Sequence, residues 1–160
     1  MSQQTHDVGV ISDTHGLVRP EALSALAGTE LIIHAGDVGK PEVLEQLRTI
    51  APVVAVRGNV DRGGWAGSLP ETEVVQIGEA LLYLLHDVHA LDLDPATAGF
   101  QAVIAGHSHR PGQRIEGGIL YLNPGSAGPR RFSLPVTVAR LRIYGPDLQA
   151  RIIKLLPDRG

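Results

Sequence analysis

Residues 8–16 read Val-Gly-Val-Ile-Ser-Asp-Thr-His-Gly, an apolar run that stops abruptly in a polar turn. A short apolar run without polar alternation is typical of a strand that is buried on both faces. Similar apolar runs with polar or glycine-containing ends recur in the segments 31–37, 53–59, 81–87 and 102–109. We therefore expect five short buried strands that each deliver polar residues at the carboxyl end.

Two segments between the first three runs carry the signs of short helices, residues 20–26 and 41–47. Each begins with Pro followed by Glu, a pair that favours the first turn of a helix. In the second segment, Val43, Leu44 and Leu47 lie on one helical face. The resulting β-α-β-α-β order predicts a parallel sheet in the N-terminal part of the chain.

The rest of the chain is richer in strand. Gly78-Glu79 and Gly117-Gly118 each separate two apolar segments and predict hairpin turns. Two further strands are expected at 136–143 and 148–153, and a short helix is expected near 95–98. Because no repeat, linker or low-complexity tract interrupts the sequence, we expect one α/β domain over residues 1–160.

The composition excludes several classes of protein. The 160 residues carry a net charge of −3, so the broad cationic surface of a general nucleic-acid binder is missing. Without cysteine, there can be no disulfide, thiolate zinc site or cysteine nucleophile. The apolar runs are far shorter than the roughly 20 residues of a membrane-spanning helix, and residues 1–7 show no basic or apolar leader. We expect no membrane insertion and a cytoplasmic location.

The polar residues at the ends of the runs are all types that bind metal ions. They are Asp13, His15, Asp37, Asn59, His86, His107 and His109. Parallel strands bring their carboxyl ends to one edge of a sheet, where ligands bind in open α/β folds. Taken singly, Asp13 could cap a turn and Asn59 could be a turn residue. Seven such residues in these positions favour a metal site.

Together these segments resemble the calcineurin-like metallophosphoesterase family. The matching motifs are Asp-Thr-His-Gly (13–16), Gly-Asp (36–37), Gly-Asn-Val-Asp (58–61), Leu-His (85–86) and Gly-His-Ser-His (106–109). Asn-Pro-Gly-Ser at 123–126 resembles a further motif of the small bacterial and archaeal phosphodiesterase branch. The resemblance implies a four-layer α/β sandwich with two facing mixed β-sheets flanked by helices.

The resemblance also implies two divalent metal ions, which would share Asp37 as a bridging ligand. The first ion would be held by Asp13, His15, Asp37 and His109, and the second by Asp37, Asn59, His86 and His107. Mn²⁺ is the first expectation, and Ni²⁺, Fe²⁺, Zn²⁺ or Co²⁺ also suit mixed oxygen and nitrogen ligands. Asp37, Asn59 and His107 would serve as catalytic residues.

The implied activity is hydrolysis of a small phosphate ester by attack of a metal-bridging hydroxide on phosphorus. Asn59, Arg130 and Arg131 are predicted to bind the substrate phosphate, although the two arginines could equally be solvated loop charges. Val60 stands where many phosphomonoesterases of the superfamily carry a His that can act as general acid. We therefore expect phosphodiesters, or esters with good leaving groups.

Several residues beside the ligands could also contribute to the site. Asp87 stands in place of the usual Gly after His86 and could be a partner of an imidazole. His89 could be a ligand or an acid, but an ordinary loop residue is favoured. By strand alternation His34 faces away from Asp37, which predicts a packed histidine that supports the site. Glycines that permit turns or close backbone approach are predicted at Gly36, Gly58 and Gly106.

Two other functions compete with the phosphodiesterase. A non-catalytic scaffold is the main alternative, since a eukaryotic retromer subunit is similar to this family and has lost part of its metal set. Every ligand position is filled here, which favours an enzyme. The hypothesis of a nuclease has the least support. Related nucleases are usually longer and carry a capping domain, for which 160 residues leave no room, and the sequence lacks a basic stripe. The strands at 136–143 and 148–153 could bury an edge against a second subunit in a homo-oligomer.

Overall fold

Two mixed five-stranded sheets form the body of the protein in a computed structural model that describes residues 4–157. The strands of the first sheet are β1 (Thr5–Ile11), β2 (Leu31–His34), β3 (Val53–Ala55), β9 (Thr137–Tyr144) and β10 (Asp147–Lys154). Their order is β10-β9-β1-β2-β3. β1, β2 and β3 run parallel, as the β-α-β-α-β pattern predicts, and β9 and β10 add antiparallel strands.

The second sheet has the order β4-β5-β6-β8-β7. Its strands are β4 (Thr72–Ile77), β5 (Ala80–Leu85), β6 (Ala102–Ile104), β7 (Gly112–Glu116) and β8 (Ile119–Asn123). β5, β6 and β8 are parallel, whereas β4 and β7 form the two predicted hairpins with β5 and β8. The two sheets thus each present parallel strand ends from which long loops depart.

The core lies mainly between the two sheets, where Val10 and Ile33 pack with Leu82, Ile104 and Leu141. The alternate residues of the first sheet face outward, and two helices cover them: α1 (Pro20–Ala25) and α2 (Pro41–Arg48). Each of these helices starts at the predicted proline. This burial of both faces explains the uninterrupted apolar runs of β1 and β2.

The outer face of the second sheet has a much thinner cover. It consists of a 3-10 turn at Val88–Ala90 and the four-residue helix α3 (Pro95–Ala98), with Phe100 packed on Tyr83 at a ring distance of 5.1 Å. The four-layer α/β sandwich is therefore confirmed, although its fourth layer is only a short segment. None of the helices in residues 4–157 has the length and apolar character needed to cross a bilayer.

One expectation about the strands is wrong. The run at 53–56 was expected to form a strand buried on both faces, but β3 is an edge strand and its three residues are only half-buried. β10 forms the opposite edge of the same sheet. Association of two copies through such an edge stays a prediction.

Candidate metal centre

Five of the predicted ligands meet where loops from both sheets converge. They are Asp13, His15, Asp37, His86 and His109. The first three follow β1 and β2 in the first sheet, and the two others follow β5 and β6 in the second sheet. The candidate site thus lies at the carboxyl ends of the parallel strands, as the sequence predicts.

The atoms that face one another are those that would bind a cation. Asp37 Oδ2 lies 3.2 Å from His86 Nε2 and 3.7 Å from His15 Nε2. Asp13 Oδ1 lies 3.5 Å from His109 Nε2 and 3.9 Å from both of the other imidazoles. Ligand atoms lie within 4.8 Å of one another in two groups: Asp13, His15 and His109, and Asp13, Asp37 and His86.

Three of these atoms are buried without a hydrogen-bond partner in the described part of the chain: Asp13 Oδ1, His15 Nε2 and His86 Nε2. An unsatisfied buried polar atom costs about 1–3 kcal/mol, so such atoms are rare unless another group completes them. All three converge on one place and belong to side chains that ligate divalent cations. The residues present therefore fit a metal ion.

Hydrogen bonds fix the orientation of His86. Its Nδ1 lies 2.8 Å from the carbonyl oxygen of Ala35. Since a carbonyl can only accept, Nδ1 carries a proton and Nε2 is the atom turned toward Asp37. A backbone carbonyl that selects the tautomer in this way is common behind metal-binding imidazoles.

The two carboxylates are held in a similar way, each by one oxygen. Asp13 Oδ2 accepts hydrogen bonds from Ser12 Oγ (2.7 Å) and the His107 amide (3.1 Å), which leaves Oδ1 free. Asp37 Oδ1 accepts from the Val60 amide at 3.0 Å, which leaves Oδ2 facing the imidazoles. Each side chain thus presents one oxygen to the candidate metal centre.

The two carboxyl groups have different electrostatic environments. Burial raises the pKa of Asp13, although the Ser12 hydroxyl opposes this shift. Burial would also raise the pKa of Asp37, but the adjacent His86 imidazole and the hydrogen bond from the Val60 amide outweigh this effect, and the pKa falls well below its usual range. Burial would lower the pKa of His86, yet the adjacent Asp37 carboxylate and the hydrogen bond to the Ala35 carbonyl raise it. The Asp37 carboxylate thus favours a positive charge beside it, which a bound cation would supply in place of a proton on His86.

His109 is ready to bind as a neutral imidazole. Burial lowers its pKa to about 4, and the positive charge of Arg131 adds to this effect. Its ring lies 5.4 Å from that of His15. At neutral pH, a metal ion therefore does not have to compete with a proton on His109.

The backbone is strained where these ligands stand. Asp13, His15, Asp37, His107 and His109 have φ values between 48° and 72°, a left-handed conformation that is costly for residues other than glycine. The one other such residue in the described chain is Phe132. Clustering of this conformation at one place is typical of functional sites.

The predicted close approach at glycines is confirmed. A Cβ atom at Gly58 would collide with the amide and the side chain of Asp37, and one at Gly106 would collide with the Ser12 hydroxyl. Gly36 has a φ of +101°, which provides the predicted turn. The loops therefore pack on the carboxylates through bare backbone.

Two predicted ligands stand apart from the buried atoms. Asn59 is exposed in the turn that follows Gly58. His107 is 43% exposed, with its ring 5.2 Å from the His86 ring and its Nε2 3.8 Å from Asp87 Oδ2. Their roles as ligands and catalytic residues stay predictions.

The predicted arginines and loop residues differ in position. Arg130 donates a hydrogen bond to the carbonyl of Pro157 at 2.9 Å. This hydrogen bond does not favour the predicted role of Arg130 in binding the substrate phosphate. Arg131 is exposed and acts on His109 by its charge. The backbone amide and Nδ1 of His89 both lie within hydrogen-bond distance of Asp87 Oδ1, at 3.0 and 3.1 Å, which does not favour His89 as a ligand.

Sequence reasoning missed two side chains that hold the loops. Asp61 is 4% exposed and accepts three backbone hydrogen bonds, from Gly58 (2.8 Å), Gly39 (2.9 Å) and Val38 (3.2 Å). Asn123 donates to the carbonyl of Gly106 at 2.9 Å. Asp61 lies in the motif at 58–61 and Asn123 in the motif at 123–126, and these positions were the sequence signal that could have identified them.

His34 is the packed, supporting histidine that alternation predicts. It is fully buried, its Nδ1 accepts from the Gly36 amide (3.1 Å), and its Nε2 lies 3.0 Å from Thr14 Oγ1. Because the Thr14 hydroxyl donates to the carbonyl of Val38, the ring donates to Thr14 and is neutral. Burial, with the charge of His86 adding to it, lowers the pKa of His34 to about 3.

This buried ring will make stability depend on pH. Below pH 6.5 the unfolded chain takes up a proton on His34 while the folded chain does not until about pH 3. The free energy of unfolding should therefore decrease as the pH is lowered. This group should contribute a loss of about 1.5 kcal/mol between pH 6.5 and pH 5. Urea unfolding of metal-free wild type and His34→Gln should show that the variant lacks this part of the slope. Equal slopes would contradict the shift.

Comparison with known proteins places the chain in a family. The calcineurin-like phosphoesterase superfamily domain matches residues 7–145. A probable metallophosphoesterase from Methanothermobacter thermautotrophicus is 38% identical over 92% of this chain and 91% of its own length.

Two solved structures have the same fold. Yfce, a phosphoesterase from E. coli, superposes with a TM-score of 0.66 at 26% identity and covers 84% of this chain and 87% of its own. Vps29 from Entamoeba histolytica, solved as a zinc complex, gives a TM-score of 0.69 at 25% identity over 94% and 99% of the two chains. The sequence motifs, the two-sheet fold and these similarities lead to one conclusion: this chain belongs to the calcineurin-like phosphoesterase superfamily.

Proposed function

We propose that the protein hydrolyses phosphate esters with the help of two divalent metal ions, and that it prefers phosphodiesters. The observation that carries the proposal is the convergence of three buried, unpaired ligand atoms, on Asp13, His15 and His86, beside the Asp37 carboxylate. A site of this kind binds cations, and the family to which the chain belongs is one of phosphoesterases.

The residues that would hold the ions are those implied by the family resemblance. Asp13, His15, Asp37 and His109 would form one set, and Asp37, Asn59, His86 and His107 the other. The position of Asp37 Oδ2 between His15 and His86 supports its role as the shared ligand. Mn²⁺ is the ion we propose first. When bound, such ions supply an activated water for attack on phosphorus and positive charge that attracts the phosphate.

The side chains of this protein contribute orientation and charge. The Ala35 carbonyl holds His86 in one tautomer, and the Val60 amide holds one oxygen of Asp37. The exposed guanidinium of Arg131 supplies positive charge near His109, which supports its proposed contact with the substrate phosphate.

The proposed preference for diesters follows from the absence of a general acid at Val60. Val60 is 46% exposed beside the site, and its backbone amide donates to Asp37 Oδ1. An isopropyl group has no proton to give to a departing alkoxide. Substrates whose leaving groups depart without protonation are therefore favoured.

Hydrolysis of bis(p-nitrophenyl) phosphate and p-nitrophenyl phosphate tests this proposal. The protein is stripped with a chelator and then loaded separately with Mn²⁺, Ni²⁺, Zn²⁺ or Mg²⁺. We expect turnover that depends on the metal, with a higher kcat/KM for the diester. Absence of turnover although metal is bound would contradict the proposed activity and favour the non-catalytic scaffold.

The variant Val60→His isolates the part played by the missing acid. The side chain is exposed, so the change should not disturb the fold. We expect kcat/KM for phenyl phosphate, whose phenolate is a poor leaving group, to rise at least about tenfold, because a well-placed general acid contributes about 10²–10⁴-fold. The kcat/KM for p-nitrophenyl phosphate, whose leaving group departs without protonation, should change little. Val60→Leu is the matched control. A wild-type preference for the monoester would refute the inference from Val60.

A further inference from the structure

A cavity of about 420 Å³ lies against the outer face of the second sheet. Its apolar floor includes Val103, Ala105 and Tyr121, and residues 106–108 of the Gly-His-Ser-His loop form one wall. This volume lies within the range of small-molecule binding sites, which are mostly apolar with a few polar groups at the rim.

The cavity exists because the fourth layer of the sandwich is incomplete. The segment that contains the 3-10 turn and Phe100 covers Tyr83 and Val103, whereas β7 and the outer side of β8 have less cover. There the guanidinium of Arg114 lies 4.6 Å from the centre of the Tyr121 ring. These two flat groups form one side of the cavity.

The cavity is next to the candidate metal centre. His107 lines it, and the His107 ring lies 5.2 Å from the ring of His86. A molecule with its phosphate at the buried ligand atoms could therefore extend past a single imidazole and reach the cavity.

The chemistry of the lining indicates the kind of group that would fit. Valine, alanine and tyrosine side chains favour an apolar ring, and the Arg114–Tyr121 pair offers planar surfaces for stacking. The lining carries the two cations Arg110 and Arg114 against the one carboxylate of Asp87, a balance that favours an electron-rich ring over a cationic one.

We propose that this cavity binds a flat aromatic substituent of the phosphate ester, and that it determines which esters the protein prefers. The inference rests on the proposed function for the position of the phosphate. Arg114 and Tyr121 act here as specificity residues, which contact the substituent and not the reacting atoms.

Gly112 allows the cavity to be filled without disturbing the core. It lines the cavity on the same face of β7 as Arg114, and a Cβ atom built on it meets nothing within 4 Å. Gly112→Phe places a ring in this space, and phenylalanine suits a strand. Gln76→Phe adds the same ring to an exposed position on β4, at the opposite edge of the sheet, and serves as the control.

Calorimetric titration of the manganese-loaded protein with phenylphosphonate and methylphosphonate tests the proposal. Wild type and Gln76→Phe should bind the phenyl compound about tenfold more tightly, through burial of the ring. Gly112→Phe should lose this preference and still bind methylphosphonate. Equal affinities in wild type, no binding of either compound, or a preference that persists in Gly112→Phe would overturn the proposal.

A second variant keeps the test independent of folding. The Arg114 side chain is 60% exposed, so Arg114→Ala should fold, and it should weaken binding of phenylphosphonate several-fold without affecting methylphosphonate. An unchanged affinity for phenylphosphonate would count against the stacking site. Turnover of bis(p-nitrophenyl) phosphate is measured separately, so failure of the proposed activity is distinguished from failure of the cavity.

Discussion

The variant Asp37→Ala should lose both metal binding and phosphoesterase activity. Asp37 Oδ2 lies 3.2 Å from His86 Nε2 and 3.7 Å from His15 Nε2, so its removal takes away the charge between two imidazoles. Replacement of residues that only support a metal ligand already lowers metal affinity or activity by about 10–100-fold. We therefore expect kcat/KM on bis(p-nitrophenyl) phosphate to fall by more than about 100-fold.

Metal content after dialysis and the pKa of His86 provide two readouts besides activity. The adjacent Asp37 carboxylate raises the pKa of His86 against the effect of burial, so this pKa should drop in metal-free Asp37→Ala, as followed by NMR. Asp92→Ala, at an exposed carboxylate, is the control and should leave both readouts unchanged. Wild-type turnover in Asp37→Ala would refute the proposed site.

The variant Asp61→Ala should be the most damaging to stability. The Asp61 carboxylate is almost fully buried and accepts from the amides of Val38, Gly39 and Gly58. Truncation leaves these donors without their partner, and each unsatisfied buried group costs about 1–3 kcal/mol. Since water can reach part of the loop, we expect a loss of about 3–5 kcal/mol in the free energy of unfolding.

Urea unfolding of the metal-free protein measures this loss, with Asp92→Ala again as the exposed control. Asp61→Asn retains one acceptor oxygen, so its free energy of unfolding should lie between those of Asp61→Ala and Asp92→Ala. Because Asp61 holds the loops that carry Asp37 and Asn59, metal affinity should fall together with stability. A change below about 0.5 kcal/mol, the usual size for surface substitutions, would show that these hydrogen bonds are not needed.

The strands and most of the candidate site could be predicted because the signal is local. Each apolar run is followed within a few residues by its ligand residues, as Ile11 is by Asp13 and Leu85 by His86. Parallel pairing then brings the ends together without further information. The position of β3 could not be predicted in this way, since its neighbours are set by contacts between distant parts of the chain.

The supporting hydrogen bonds were harder to predict. Asp61 accepts from amides that lie 22 and 23 residues before it in the sequence, and Asn123 donates to a carbonyl 17 residues before it. Nothing in the local pattern distinguishes a carboxylate that binds amides from one that binds metal. The separation of His107 from the buried atoms depends likewise on the backbone of its loop.

The left-handed backbone at Asp13, His15, Asp37 and His109 matters to anyone who designs enzymes. Grafting the same carboxylates and imidazoles onto another sandwich would reproduce the side chains but not their directions, because ordinary loops avoid these dihedral angles. A designer would have to transplant the glycines and Asp61 as well, so that the rest of the fold imposes the conformation before any ion arrives. The smallest transferable unit is therefore a set of interlocked loops and not a constellation of ligands.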